Sequence, residues 1–361
     1  MLFRKRIVCG LAVLCLLIGL TAVIPARAGY GEQKEKGEKS KQQKDGKDKG
    51  DKKGGGDKGD KKSGQADSDD AGEGRPVLWR EPADIESRDL FHGPGGAQGA
   101  PDPSGKFTFK ERSTSGTSEK IIVEDDKGRE WTVKFGSESR PETAATRIIW
   151  AAGYHVDQDY FVKRTRILGR GDFDVWDVRF ERRDDGMKEV GLWSWHTNPF
   201  LGTRELQGLK VLMALVNNWD LKEVNNKIAR PGKKSGGDRG ERIFYVADMG
   251  GTLGSTGSPF RKIPGFGSAP AGSKGDAGAF ANQEFIDGVR NGQVVFHYKG
   301  KDPKALEGVT VENARWMGNL LGRLSDKQIS DAFTAGGFSE AETSTYVRAM
   351  RKRIDQLRNL K

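Results

Sequence analysis

A long run of charged and small residues, 31 to 75, sets the first limit on what this chain can fold into. These residues are almost wholly Lys, Asp, Glu, Gly, Gln and Ser. Such a composition offers almost no apolar surface whose burial could offset the entropy lost on ordering, so we expect a solvated tether. Roughly 285 residues follow this run, which is enough for one large core or two joined lobes.

The first 28 residues have the features of a targeting segment. Residues 4 to 6 are basic, residues 7 to 24 form an apolar stretch, and an A-x-A pattern ends at Ala28. We therefore expect a signal peptide over 1 to 28, a mature chain that begins near Gly29, and a secreted or periplasmic location. Because the apolar stretch is rather long for a signal core, an uncleaved membrane anchor is the alternative.

Cysteine content and charge exclude several kinds of site. Both cysteines, Cys9 and Cys15, lie inside the targeting segment, so the mature chain would have no disulfides, thiolate metal sites or cysteine nucleophiles.

The formal net charge is +10, from 61 basic and 51 acidic residues. The basic excess is interleaved with acids, which predicts no specific nucleic-acid partner. For residues 29 to 75 we expect a spacer role, with contact to an envelope polyanion as the alternative.

The first part of the folded region, residues 76 to 195, predicts strands around a single helix. Runs rich in β-branched and aromatic residues indicate strands, namely 107 to 110, 120 to 123, 130 to 135, 160 to 168, 174 to 182 and 187 to 195. Between the third and fourth of these, residues 143 to 152 predict a helix that Gly153 ends. Ser139 and Glu142 have the spacing of a capping box at its start.

The second part, residues 196 to 361, predicts mainly helices. Apolar residues at helical spacing indicate one helix over 204 to 216. The C-terminal third predicts three more, over 311 to 324, 325 to 335 and 339 to 360, and the last two begin with capping boxes at Ser325 and Ser339. The Gly/Ser/Pro-rich stretch from Gly250 to Gly278 looks too loose to form a core element. The chain is therefore predicted to be an α+β protein.

Two polar motifs in the second part point to a specific chemistry. The helix that ends near Val216 is followed by Asp220 to Asn225, with the sequence DLKEVN. An apolar strand over 243 to 247 is then followed directly by Asp248-Met249-Gly250. A short loop after a helix can direct alternate side chains into one cleft, and two following strands can bring Asp248 beside them.

The order of these parts resembles the protein-kinase-like superfamily over roughly residues 100 to 260. The resemblance implies a two-lobed fold, with a strand-rich N-lobe over 76 to 195 and a helical C-lobe over 196 to 361. It also implies that Asp220 positions the attacking hydroxyl and that Lys222 meets the transferred phosphoryl group. Asn225 and Asp248 would hold Mg²⁺ between the phosphates of ATP. A polar helix terminus and a strand-end turn are the alternative interpretation of both motifs.

The resemblance also assigns residues in the first lobe. Lys134 matches the strand lysine that contacts nucleotide phosphates, and Glu142 is its expected acidic partner on the next helix. If Glu142 instead caps its own helix, Glu138 is the substitute partner. Ser115 and Gly116 occupy the place of the usual glycine-rich loop, where hydroxyl and backbone amide groups can meet phosphates.

Several departures indicate an atypical member of the superfamily. Trp219 and Asn218 replace the Arg and His that precede the catalytic Asp in protein kinases. No Gly-x-Gly-x-x-Gly loop occupies the place before the Lys134 strand, where residues 113 to 118 lie, and the sequence has no Ala-Pro-Glu anchor. The chain is more similar to HipA-like, phosphatidylinositol-kinase-like or secreted kinases. The resemblance implies an exported phosphotransferase that uses ATP and Mg²⁺ on a hydroxyl-bearing protein, lipid or glycan. The alternatives are a nucleotide-binding pseudokinase and a cell-envelope scaffold without catalysis.

Overall fold

The computed structural model describes residues 74–113, 118–183, 186–232, 238–257 and 272–361. All of them belong to one compact unit, Lys62–Lys361. The predicted signal peptide, nearly all of the predicted tether, and the candidate residues Ser115 and Gly116 lie outside the described residues.

Strands predominate in the first part of the described chain and helices in the last part. The strands are β1 (Arg75–Val77), β2 (Phe107–Ser113), β3 (Lys120–Asp125), β4 (Glu130–Lys134), β5 (Asp159–Leu168), β6 (Phe173–Arg182), β7 (Met187–Leu192), β8 (Asn226–Pro231), β9 (Glu241–Val246), β10 (Ile286–Arg290) and β11 (Gln293–Phe296). The helices are α1 (Gly96–Gly99), α2 (Ser139–Ala151), α3 (Arg204–Leu215), α4 (Ala277–Asn282), α5 (Val311–Leu321), α6 (Asp326–Ala335) and α7 (Glu340–Arg358). Short 3-10 turns lie at Ile85–Ser87, Gly93–Gly95, Glu223–Asn225 and Pro303–Leu306.

The first five long strands close into a barrel in the order β2-β3-β4-β6-β5. A short parallel pairing of β2 with β5, at Phe107 and Ile167, completes it. Its interior is aromatic: Phe107, Trp131 and Phe180 are fully buried, and Phe180 contacts the other two rings at centroid distances of 4.8 and 6.0 Å. This packing fixes β4, which ends at Lys134.

A second sheet, in the order β1-β9-β8-β7, positions both sequence motifs. β8 and β9 are antiparallel, with Asn226 opposite Val246. The loop before β8 and the turn after β9 therefore lie side by side. β7, from the predicted N-lobe, pairs with β8, so this sheet draws strands from both predicted lobes, and the division at residue 195 stays a prediction.

Helices α3, α5, α6 and α7 form the main apolar core together with α2. α2 packs on both the barrel strands β5 and β6 and the helix α6. An ion pair of 2.7 Å between Arg140 and Glu342 also joins α2 to α7. α2 is thus the element that connects the strand-rich part to the helical part.

The α+β fold class, with strands first and helices second, is confirmed. The capping boxes at Ser325 and Ser339 are also confirmed, but the one at Ser139 is wrong, because Glu142 turns away from its helix start to bond Lys134. The expectation of a loose stretch after Asp248 is wrong for its described part, where Leu253 is fully buried. No helix among the described residues is long and apolar enough to span a membrane.

Candidate functional site

Lys134 lies in a buried ion-pair cluster between β4 and α2. Its ammonium is 2.9 Å from Glu142 and 2.9 Å from Glu138, and only 3% of its side chain is exposed. The hydroxyl of Ser139 donates to the Lys134 carbonyl over 3.1 Å, which ties the start of α2 to the end of β4. Burial opposes the charged ammonium, but Glu142, with Asp248 and Glu138, outweighs it and raises the pKa of Lys134 above its ordinary value.

Glu142 is held by a second cation from the neighbouring strand. Arg179 stands opposite Lys134 in the antiparallel pairing of β4 and β6, so both side chains lie on the face of the sheet that α2 covers. The Arg179 guanidinium is 3.3 Å from Glu142 and 3.3 Å from Asp159. Glu142 is therefore fixed between two cations and is 1% exposed.

Glu138 has a different environment from that of Glu142. Its carboxylate contacts Lys134 at 2.9 Å and Lys274 at 2.8 Å, and it accepts a hydrogen bond of 3.2 Å from the Ser118 hydroxyl. Burial alone would raise the pKa of Glu138, but Lys134 and Lys274 lower it to about 2. Glu138 keeps its negative charge and remains 22% exposed.

Asp248 enters the same cluster from the end of β9. Its Oδ1 atom accepts a hydrogen bond of 2.9 Å from the Gly250 amide and lies 3.8 Å from the Lys134 ammonium. A side chain at position 250 would bring its Cβ within 2.9 Å of Glu138. Glycine therefore allows this turn to approach the start of α2 closely.

The loop after α3 places Asp220 beside two lysines. Asn218 accepts a hydrogen bond of 3.1 Å from the Asp220 amide, and the Asp220 carboxylate lies 2.9 Å from Lys222 and 3.0 Å from Lys301. The hydrogen bond to Asp220 raises the pKa of Lys222. The Asn225 amide group donates to the Asp220 carbonyl over 2.8 Å, which closes the loop.

Backbone hydrogen bonds hold the two motifs together. The Ala247 amide donates to the Asn225 carbonyl over 2.8 Å, and the Trp219 amide donates to the Gly251 carbonyl over 3.0 Å. The first bond joins Asn225 to the residue before Asp248, and the second joins the residue before Asp220 to the residue after the Asp248-Met249-Gly250 motif. The structure thus brings Lys134, Glu142 and Asp248 into one ion-pair cluster and sets the Asp220 loop beside it.

The donor atoms of Asn225 and Asp248 suit a hard divalent cation. Asn225 uses its amide nitrogen on the Asp220 carbonyl, which leaves its amide oxygen for another partner. Asp248 is 44% exposed, and its Oδ2 atom is not needed for the Gly250 bond. Amide and carboxylate oxygens are the protein ligands that Mg²⁺ prefers, so these residues fit the predicted ion.

Two lysines at this site were missed by the sequence analysis. Lys274 lies inside the Gly/Ser/Pro-rich stretch from Gly250 to Gly278, and Lys301 lies next to Asp302 at the start of a short 3-10 turn. Neither belongs to a local motif, and each reaches the site only through folding. Ser118, which bonds Glu138, is close in sequence to the predicted Ser115 and Gly116.

Comparison with known proteins gives no match at the level of sequence families: no protein-family model matches this chain, and no curated protein is similar to it. Among solved structures, the chain is similar to the proinflammatory kinase CtkA of Helicobacter pylori, with 12% identity, a TM-score of 0.39, and coverage of 71% of this chain and 94% of that one. It is also similar to the Rio2 kinase of Chaetomium thermophilum, solved as an ADP/Mg²⁺-phosphoaspartate complex, with 12% identity, a TM-score of 0.29, and coverage of 69% and 72%. Both are kinases. Because both TM-scores are below 0.5, the function is inferred below from the side-chain geometry of this chain.

Proposed function

We propose that this protein is an exported phosphotransferase that moves the terminal phosphoryl group of ATP, with Mg²⁺, to a hydroxyl-bearing acceptor. The proposal rests on one observation above all. A barrel-strand lysine, an acid on the following helix and the Asp of an Asp-x-Gly turn meet within ion-pair distance, with the Lys134 ammonium 2.9 Å from Glu142 and 3.8 Å from Asp248. Phosphoryl transfer needs this combination of charges to bind and neutralise phosphates.

In this proposal the Asp220 loop carries the acceptor chemistry. The Asp220 carboxylate receives the proton of the acceptor hydroxyl as that oxygen bonds to the γ-phosphorus. The bond from this phosphorus to the β,γ-bridging oxygen breaks, which leaves ADP and a phosphoester. Lys222, 2.9 Å from Asp220, is placed to balance negative charge on the transferred group.

Two residues would hold the metal. Asn225 and Asp248 supply the oxygen ligands, and their backbones are joined through Ala247. When bound, Mg²⁺ supplies positive charge that offsets the charge of the β- and γ-phosphates. Lys134 would contact the phosphates from the barrel side.

The pseudokinase alternative has its own supporting observation. The Asp220 carboxylate already lies between Lys222 and Lys301, at 2.9 and 3.0 Å. The two ammonium groups contact both carboxylate oxygens, Oδ2 and Oδ1, which an acceptor hydroxyl would have to approach. A protein in this state could bind nucleotide and transfer no phosphate.

Magnesium-dependent ATP binding tests the proposal against the scaffold alternative. The purified protein should melt at a higher temperature with ATP and Mg²⁺ than with either alone, because a ligand that binds only the folded state stabilises it by mass action. Asp248→Ala should lose most of this shift, whereas Asp331→Ala, which removes a half-buried carboxylate on α6 that pairs with Lys327, should keep it. An equal melting temperature with and without MgATP would reject the proposal.

A further inference from the structure

The carboxylate of Glu138 is bound in the way that a phosphoryl group is commonly bound. Ammonium groups of Lys134 and Lys274 lie 2.9 and 2.8 Å from its two oxygens, and the Ser118 hydroxyl donates over 3.2 Å. Two ammonium groups and a hydroxyl around one anion form a donor set that also suits phosphate oxygens. Only Lys134 among these donors belongs to the motifs recognised in the sequence.

Lys134 cannot meet a phosphate while Glu138 stays in place. Its side chain is 3% exposed and faces Glu138, Glu142 and Asp248. Glu142 is buried and also held by Arg179, so it is fixed in position. Glu138 is the N-cap residue of α2, and its backbone carbonyl accepts the first hydrogen bond of the helix, from the Glu142 amide at 3.0 Å. Its side chain is 22% exposed, against 1% for Glu142, so its carboxylate can turn towards solvent without moving this backbone. Glu138 is therefore the carboxylate that can leave.

Lys274 is held in position from both sides along the chain. The Ser273 carbonyl accepts a hydrogen bond of 3.2 Å from the Trp219 indole, and the Gly275 amide donates to the Thr252 carbonyl over 3.0 Å. Trp219 directly precedes Asp220, and Thr252 follows the Asp248 turn. The backbone thus ties the position of Lys274 to both motifs of the proposed site.

We propose that Lys274 is a second phosphate-binding lysine of the nucleotide site, and that Glu138 occupies the place of a phosphoryl group until nucleotide binds. This inference rests on the proposed function, because the ligand is the polyphosphate of ATP. On binding, the nucleotide displaces the Glu138 carboxylate from Lys134 and Lys274. Glu142 then remains as the partner that holds Lys134.

The role of Lys274 is tested by calorimetric titration of the whole protein with MgATP and with adenosine. Lys274→Met should weaken MgATP binding about tenfold, or about 1.4 kcal/mol, and leave adenosine binding unchanged. Lys274→Arg keeps the positive charge and should restore most of the MgATP affinity. Lys327→Met, at a lysine that is 83% exposed on α6, is the matched control and should bind like the parent.

The role of Glu138 is tested by a pair of acid-to-amide variants. Glu138→Gln should bind MgATP about threefold to tenfold more tightly. Without a charged carboxylate on Lys134 and Lys274, a larger fraction of the protein has both lysines open to phosphate before nucleotide binds. Glu142→Gln should bind more weakly, since Lys134 loses the buried carboxylate that holds it once Glu138 has been displaced. Melting temperatures without nucleotide establish that each variant is folded.

The outcomes separate this inference from the function on which it rests. If the parent binds MgATP but Lys274→Met binds equally well, or Glu138→Gln binds more weakly, the inference is overturned and the phosphotransferase proposal stands. If the parent binds no MgATP, both are overturned. Weaker binding by Lys274→Met together with tighter binding by Glu138→Gln supports the displacement.

Discussion

At the scale of single residues, Lys134 is the cation that faces three carboxylates of the site. Its buried ammonium faces Glu138, Glu142 and Asp248. Removing one member of a buried ion pair leaves an uncompensated charge, which costs more than the pair contributes. The stability of the fold and the chemistry of the site therefore depend on the same side chain.

Lys134→Met should lower the free energy of unfolding by about 3 kcal/mol, because Glu142 would remain buried with only Arg179 as a cation. Urea unfolding followed by circular dichroism measures this change. Lys163→Met, at an exposed barrel lysine that pairs with Asp177, should change it by less than about 0.5 kcal/mol. Equal stabilities for the two variants would contradict the buried network.

The residues of the site could be predicted from sequence only where they belong to ordered motifs. Lys134, Asp220, Asn225 and Asp248 follow one another in a recognisable order. The structure places Asp248 3.8 Å from the Lys134 ammonium and joins the Asp220 loop to the Asp248 turn through backbone hydrogen bonds, while the roles of the four residues stay predictions. Lys274 and Lys301 could not be found in this way, because a surface lysine and a site lysine look alike until the chain is folded. The partner of Lys134 was open between Glu142 and Glu138, and the structure pairs it with both.

At the scale of elements, most of the regular structure followed from local patterns. Strands of the barrel and helices α3, α5, α6 and α7 have clear periodicity and end signals, and they occur near the predicted bounds. Barrel closure between β2 and β5 depends on two distant segments, so no local pattern could indicate it. The short helix α4 and the hairpin β10-β11 were missed, because both are shorter than the windows in which periodicity is visible.

The capping boxes give a prediction at this scale. Ser325→Ala and Ser339→Ala should each lower the free energy of unfolding by about 1 kcal/mol, because each serine accepts a hydrogen bond from the first turn of its helix. Chemical denaturation of the two variants measures the loss. Ser330→Ala, inside α6, is the matched control and should cost nothing, since alanine is the better helix former. A loss at Ser330 as large as at Ser339 would contradict the assignment.

At the scale of the whole molecule, the pH dependence of stability reports on His155, a half-buried residue in the segment between α2 and β5. Burial, with a smaller effect of Arg80, lowers the pKa of His155 to about 4. The unfolded chain binds the proton near pH 6.5, so the stabilising effect of neutral His155 is present above pH 6.5. It is lost as the pH falls from 6.5 towards 4.

His155→Gln should therefore flatten the pH dependence of unfolding between pH 6.5 and 4, where the parent loses up to about 3 kcal/mol through this group. Urea midpoints at pH 7, 5.5 and 4.5 for parent and variant measure the effect. His92→Gln, at a histidine whose side chain is 33% exposed and pairs with Asp89, is the control. Parallel curves for the parent and His155→Gln would show that His155 does not carry the dependence.

The central claim for the whole molecule is that the site transfers phosphate. Intact-mass spectrometry tests this claim most directly, after the protein has been incubated with MgATP and a mixture of hydroxyl acceptors. The parent should produce ADP together with a phosphorylated acceptor or a phosphorylated copy of itself. Asp220→Ala and Asp248→Ala should each do so at least about a hundredfold more slowly, because each removes charge that acts on the transition state. Saturation with MgATP but no phosphate transfer, or equal transfer by the variants, would contradict the claim.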